Sequence, residues 1–355
     1  MLQLFLITLL IANSNAGSSN LNKVGSSNLR GSVDENEFDS DQKEFILFRT
    51  RFNKVYASDE DFFARFEVFK SNMRSIIQHN SVPGQNFTLG INQFSDLTAE
   101  EFKALYINSG YKPSVSVSVG ATVGSYGCKT YTSTATSAPA SIDWRQKNAV
   151  TSVKDQGQCG SCWTFSSTGA SEGAWAISTG KLIDLSEQQL VDCATGVAYG
   201  SHGCNGGQME GADKYLIANG QCSLASYPYT ATDDKCKTCS PVARFSSCSD
   251  VKPNDQVSLK GAVAMQPVSV AIEADTRYFQ SYTGGILDAT TCGTTLDHGV
   301  LIVGYGTDNG KKYWNVKNSW SSTWGEQGYV RILRSDSTND AGICGIAMDP
   351  SFISV

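Results

Sequence analysis

The segment 159-CGSCW-163 sets two cysteines beside a tryptophan with two residues between them. Such a pair can be a redox disulfide, half of a zinc site, or a nucleophile next to a structural partner. The redox reading needs both sulfurs to bond each other, usually in a βαβ setting and a reducing compartment. No strand pattern leads into this segment. The zinc reading would join it to 236-CKTC-239, but the intervening gap far exceeds structural-zinc spacings. The nucleophile reading asks for a histidine to share the thiol proton and a group to orient that histidine.

Three histidines are present. His79 falls in an N-terminal helical stretch and His202 in a glycine-rich loop. His298, in 296-LDHGVLIVGYG-306, opens a strand whose backbone can hold an imidazole still, and Asn318 follows in 315-NVKNSW-320. Cysteine arithmetic points the same way: eleven is an odd number, so at least one thiol is left over or pairs between chains.

The 355 residues suffice for a large core and more than one folding unit. A net charge of -6 argues against nucleic acid or an anionic membrane surface, both of which need a basic face. An apolar run from Leu2 to Ile11, followed by Ser14-Asn15-Ala16, predicts a cleaved signal segment over 1–16. The run is shorter than the ~20 residues a membrane span needs. Secretory entry also favours disulfides. The expected location is the secretory route, ending in an acidic, lysosome-like compartment or outside the cell.

Residues 17–40 are rich in Ser, Asn and Gly and predict a flexible lead-in. Phe45, Phe48, Phe52 and Tyr56, then Phe62, Phe66, Phe69, Met73 and Ile76, recur at helical steps and predict two amphipathic helices. In 89-LGINQFSDLTAEEF-102 a strand-like piece leads to a helix start, with Thr98 as cap and Glu101 three residues on. The inhibitor helices are expected over about 41–105. Residues 107–137 are Ser/Thr/Val-rich and predict an extended linker. A second unit spans 138–355, with one helix from the cysteine motif to Thr179 and Gly180 as its stop. Helical signals thin after Met209, while 267–274, 299–306, 312–320 and 328–334 look like strands. The fold class is α+β with the two kinds of element segregated.

Further matched stretches complete the pattern: 155-DQGQCGSCW-163, 185-LSEQQLVDC-193, 204-CNGG-207, 226-SYPY-229, 297-DHGV-300, 317-KNSW-320 and 324-WGEQGY-329. With these the chain resembles the papain family of cysteine peptidases, in particular its cathepsin L-like branch. His298 lies 298 − 162 = 136 residues after Cys162, within the family's known spacing of about 130–150, while Asn318, at 318 − 162 = 156, lies slightly beyond. Arg65, Phe69, Asn72, Ile76 and Asn80 keep the spacing of the family's inhibitory prosegment helix, with Asp61 where a Glu is usual; Gly90, Asn92, Phe94 and Asp96 match its second motif.

The resemblance implies a papain-like two-domain fold, with a helical left domain, a β-barrel-like right domain and a cleft between, behind a prosegment at 17–137. It implies a zymogen of a cysteine endopeptidase with no cofactor and no metal, acting on polypeptides, inhibited by its own propeptide, and monomeric. Cys162 would be the nucleophile, His298 its acid/base partner, Asn318 the orienting group and Trp320 the shield of their hydrogen bond. Gln156 would share the oxyanion hole with the Cys162 N–H. Cys159 would pair with Cys204, Cys193 with Cys236 and Cys292 with Cys344, leaving Cys128, Cys222, Cys239 and Cys248 unassigned. An ordinary thiol, with a pKa of about 8.5, is only about one part in three thousand ionised at pH 5, so a depressed thiol pKa is expected, from the helix N-terminus and an imidazolium.

By the same resemblance Met209, Ala271 and Leu296 would line the pocket for the residue two before the scissile bond. Asp349 would stand at the floor, so the pocket suits apolar guests and Arg. Gly206 and Gly207 would let substrate backbone come close, and Gly160, Asp297 and Trp320 complete the expected cleft lining. No His-bearing insertion follows Cys204, which favours an endopeptidase. Ser321 stands where the family usually has Gly. Asn86-Phe87-Thr88 is the one glycosylation sequon. The rival reading is a catalytically silent relative that binds or stores.

Overall fold

The aromatic steps near the N-terminus fold as helices α1 (Glu35–Arg51) and α2 (Asp59–Ser81) in a computed structural model that describes residues 35–107 and 126–355. The expected signal segment, most of the lead-in and residues 108–125 lie outside the described residues. Phe45, Phe48, Phe66 and Phe69 meet between the two helices as one buried aromatic cluster. Ser58 accepts a hydrogen bond from the Asp61 N–H, and Asp59, Glu60 and Asp61 fill the first turn of α2, where the helix dipole favours negative charge. Strand β1 (Phe87–Leu89) follows, then α3 (Ala99–Tyr106), which opens on the expected capping box of Thr98 and Glu101.

Beyond residue 126 come β2 (Lys129–Tyr131), β3 (Ile142–Asp143), α4 (Cys162–Thr179), α5 (Glu187–Cys193), α6 (Met209–Asn219), β4 (Ser247–Val251) and α7 (Gln256–Met265). Strands β5 (Val268–Ile272), β6 (Tyr282–Leu287), β7 (His298–Asp308), β8 (Lys311–Lys317), β9 (Tyr329–Leu333) and β10 (Ser351–Ser354) complete the chain. The sheet runs β1-β6-β9-β8-β7-β5-β10-β4-β2, with β3 paired to β7. Gly180, at φ 73°, ends α4 in the left-handed turn the sequence predicts.

Two expectations are corrected. Helices continue after Met209, as α6 and α7; their Gly, Ala and polar content hides the helical period because both are buried on more than one side. The linker reading of 107–137 does not hold for its last part either, since β2 pairs in parallel with β4.

Two apolar cores result. Trp163, Leu185, Leu190, Met209 and Leu216 pack among the helices, and Val270, Ile272, Val300, Ile302, Trp314 and Ile332 within the strands. Burial of each such side chain is worth about 1.5–3 kcal/mol. Helix α4 lies directly on the sheet because two of its glycines allow it. A Cβ at Gly169 would come 2.6 Å from Leu301, and one at Gly173 2.6 Å from Pro267. That close approach sets Cys162, the first residue of α4, against the start of β7.

The N-terminal helices are part of this assembly. Strand β1 adds to β6 antiparallel, Phe87 opposite Gly285, and Ile76, Phe94, Leu97, Phe102 and Ile107 join the strand-side core. Gly285 adopts φ 90°, and a Cβ there would meet the Asn86 carbonyl at 2.3 Å, so glycine is required at this seam.

Candidate active site

Cys162 is the one free cysteine, buried at the N-terminus of α4. The other ten form Cys128–Cys248, Cys159–Cys204, Cys193–Cys236, Cys222–Cys239 and Cys292–Cys344. The two sulfurs of the opening motif are thus separated: Cys159 is tied to the loop before Gly206, and Cys162 is a thiol. No group of His, Cys, Asp and Glu side chains among the described residues is arranged to hold a metal ion.

His298, fully buried, opens β7, and its Nε2 lies 2.8 Å from the Asn318 Oδ1. An amide oxygen only accepts, so Nε2 carries the proton and Nδ1, which has no partner, is the basic nitrogen. The Trp320 ring stacks on the imidazole at 4.6 Å, which keeps water from the His298–Asn318 bond. Gly299 follows His298 with its Cα against the first turn of α4: a Cβ would sit 3.2 Å from the Cys162 carbonyl and the Trp163 N.

Gln156, fully buried, accepts from the Ser319 hydroxyl at 2.7 Å through Oε1. Its Nε2 donates to the Cys159 carbonyl at 3.0 Å and to the Tyr106 carbonyl at 3.2 Å. Tyr106 is the last residue of α3, so a backbone carbonyl from the N-terminal region lies on this donor. Nearby, Phe94 and Phe102 meet the Trp320 ring edge-on at 5.4 and 5.2 Å, and the Gln93 amide donates to the Trp320 carbonyl at 2.7 Å. Asn92 donates to the Gln280 carbonyl, and Lys103 pairs with Asp275 at 2.5 Å.

Burial of the pair reverses the expected ionisation. Burial pushes the Cys162 thiol up to about 11, although the Gly299, Trp163 and Cys162 backbone N–H groups pull the other way. Burial also drops His298 to about 4, opposed by its bond to Asn318. With the N-terminal region in place both groups are therefore neutral near pH 7, so the expected depressed thiol is not found in the covered chain.

Met209, Ala271 and Leu296 share one apolar cluster with Trp163. Asp349 is buried, and its charge raises the carboxyls of Glu210 and Asp250. Burial, the largest cause, with these neighbours carries Glu210 and Asp213 well above the usual carboxylate range and Asp250 to about 7. Sequence reasoning missed this cluster: Glu210 and Asp213 share a turn of α6, whereas Asp250 comes from β4 and Asp349 from the bend before β10. Asp297, beside His298, is held up at about 7, mainly by burial, while its Oδ1 accepts from the Ala274 N–H.

Gly160 donates to the Cys204 carbonyl at 2.9 Å. Gly206 takes φ 97°, and a Cβ on Gly207 would strike the Trp163 ring at 2.6 Å, so packing on Trp163 already requires that glycine. His202 is an exposed loop residue. Asn86 donates to Asp288, which engages the sequon side chain.

The profile of papain family cysteine proteases matches residues 138–354, and that of the cathepsin propeptide inhibitor domain matches 45–102. The chain belongs to the papain family of cysteine proteases. Senescence-specific cysteine protease SAG39 of Oryza sativa subsp. japonica is 46% identical over 305 residues, covering 85% of this chain and 87% of the relative. Cysteine proteinase RD21A of Arabidopsis thaliana is 46% identical over 296 residues, 81% of this chain and 60% of that protein. Among solved structures, a recombinant stem bromelain precursor superposes with TM-score 0.78 at 40% identity, covering 89% of this chain and 99% of the other. The Amb a 11 cysteine protease, a major ragweed pollen allergen, in its proform gives TM-score 0.78 at 38% identity, covering 91% and 98%. This papain family member is a cysteine endopeptidase made as a zymogen, with polypeptide substrates and its own propeptide as intramolecular inhibitor. The silent-relative reading has no support.

Proposed function

We propose that Cys162, His298, Asn318 and Gln156 are the catalytic groups of this endopeptidase, and that the enzyme degrades proteins at acidic pH. The observation that carries the reading is the His298 ring: Nε2 is committed to Asn318, and Nδ1 is left basic and unpartnered. Once the prosegment leaves, Nδ1 takes the Cys162 proton and the helix N-terminus favours the thiolate. Sulfur attack forms an S–C bond, and the carbonyl oxygen becomes an oxyanion facing the Gln156 Nε2–H and the Cys162 N–H. In the zymogen the Tyr106 carbonyl lies on that Gln156 donor. As the C–N bond breaks, the proton on Nδ1 passes to the leaving amine. Water then adds to the thioester, giving its proton to Nδ1, and the carboxylic product departs as the thiol is restored.

The pocket beside Met209, Ala271 and Leu296 takes apolar side chains, and Arg as well. A guanidinium entering toward Asp349 would also come near the raised carboxyls of Glu210, Asp213 and Asp250 and draw these three toward ionisation, because a close positive charge favours the charged form. The inhibitor helices leave on activation, the peptidase body runs from about Ala138, and the enzyme is a monomer of an acidic secretory or extracellular compartment. Acid activation of the purified zymogen, followed by a thiol-alkylating active-site label and a peptide assay, tests the catalytic assignment. Labelling at Cys162 with loss of hydrolysis supports it; full activity in Cys162→Ala refutes it.

A further inference from the structure

Residues 126–137 fall outside both matched domains, since the inhibitor profile ends at residue 102 and the peptidase profile begins at 138. They are nevertheless sewn into the peptidase body. Cys128 is disulfide-bonded to Cys248 on β4, and both are buried. Lys129, Thr130 and Tyr131 pair in parallel with Ser249, Asp250 and Val251, and the Lys252 N–H donates to the Tyr131 carbonyl at 3.0 Å. The Tyr131 ring meets Phe352 of β10 edge-on at 5.4 Å. The Ser133 N–H donates to the Ser258 hydroxyl at 3.0 Å, and that hydroxyl donates to the Ser133 carbonyl at 3.2 Å, fastening the segment to α7.

The segment also does something for the sheet. Strand β2 is the outermost on its side, and without it β4 would present an open row of backbone donors and acceptors to other chains. A three-residue edge strand with an exposed Lys129 is a safer boundary. In this strand Thr130 pairs with Asp250 of the carboxylate cluster, and at the start of the segment Tyr126 is raised by burial and then by the nearby Glu210 and Asp349.

We infer that Tyr126–Ser137 is a permanent part of the mature enzyme, a disulfide-anchored edge strand that stays behind when the inhibitor helices are removed. Cleavage N-terminal to Cys128 leaves it as the start of one chain. A further cut near Ala138, in addition to that one, leaves it as a short second chain held through Cys128–Cys248. Either cut is one amide hydrolysis consuming one water, and the disulfide stays oxidised throughout.

The inference rests on the zymogen reading for its biological occurrence, so the test separates the two. The wild-type full chain is self-activated in acid, and the full-length Cys162→Ala chain is trimmed with pepsin at the same pH. Both are alkylated with iodoacetamide without reduction, then weighed intact and sequenced from the N-terminus. The expected products retain Cys128 in their non-reduced mass, with one label, on Cys162, in the wild type and none in the variant. A body starting near Ala138 with the Cys128 segment gone and Cys248 labelled overturns the inference. If the wild type stays uncut while the trimmed variant keeps Cys128, self-activation fails as a reading and this inference stands.

Discussion

Removing the prosegment is expected to change the acidity of Cys162 more than any point substitution would. In the covered site burial holds the thiol at about 11, against an ordinary 9.0. That difference corresponds to about 3 kcal/mol and to about a hundredfold less thiolate at any pH well below 9. The cause is desolvation with no compensating charge, because His298, held at about 4, is itself neutral under the same cover. The assay is the rate of iodoacetamide alkylation at Cys162, followed by intact mass from pH 7 to 10, where the zymogen stays closed. The rate in the zymogen should rise tenfold per pH unit with no plateau. After acid activation the same measurement should give a rate nearly independent of pH between 5 and 7, the mark of a thiolate sustained by an imidazolium. The slope carries the test, since restricted access lowers every rate by the same factor. A plateau in the zymogen at or below pH 8 would refute the argument that burial under the prosegment neutralises the pair.

Gln156→Ala should lower kcat of the activated enzyme about 10²- to 10³-fold with little change in KM, as read in steady-state peptide hydrolysis. Asp349→Ala should reduce the Arg-over-Leu preference two residues before the scissile bond by about ten- to a hundredfold, the size of a charge-assisted bond, measured on paired peptides; an unchanged ratio removes Asp349 from the pocket. Ser321 adopts φ 66°, where a side chain costs about 1–2 kcal/mol and glycine's extra unfolded freedom offsets about half. Ser321→Gly should therefore stabilise the zymogen by about 0.5–1 kcal/mol in denaturant unfolding. Arg65 holds the Glu101 carboxyl below its usual range through a 2.6 Å bond. A depressed carboxylate contributes stability that is present above about 4.5 and lost as pH falls through its folded value. The melting-temperature gap between wild type and Glu101→Gln should accordingly be open at pH 6 and narrow progressively as the pH falls below 4.5.

Much of this was readable residue by residue. The aromatic steps of α1 and α2, the capping box at Thr98 and Glu101, and the extent of α4 from Cys162 to Gly180 are local chemistry, and local chemistry appears in a local pattern. The residues of the site could be nominated for a similar reason. A thiol mechanism needs an imidazole, and of three histidines only His298 opens a strand. Helices α6 and α7 escaped because their buried faces carry Gly, Ala and polar groups, with Glu210 and Asp213 buried in α6. Strand β2 escaped because its partner β4 is about 120 residues away and its own sequence is polar.

The sequence alone determined that at least one cysteine is left over or pairs between chains, which residue types could share a thiol proton, and that an N-terminal helical module precedes the peptidase. These follow from counting, from acid–base chemistry and from short-range periodicity. Tertiary structure alone decided that Cys128 pairs with Cys248 and Cys222 with Cys239, and that the Tyr106 carbonyl reaches Gln156. It also decided that the carboxyls of Glu210, Asp213, Asp250 and Asp349 gather, and that Cys162 and His298 are neutral while covered. Each of these depends on which distant segments exclude water from a given atom, and desolvation is a property of the packed chain that no short stretch of residues carries by itself.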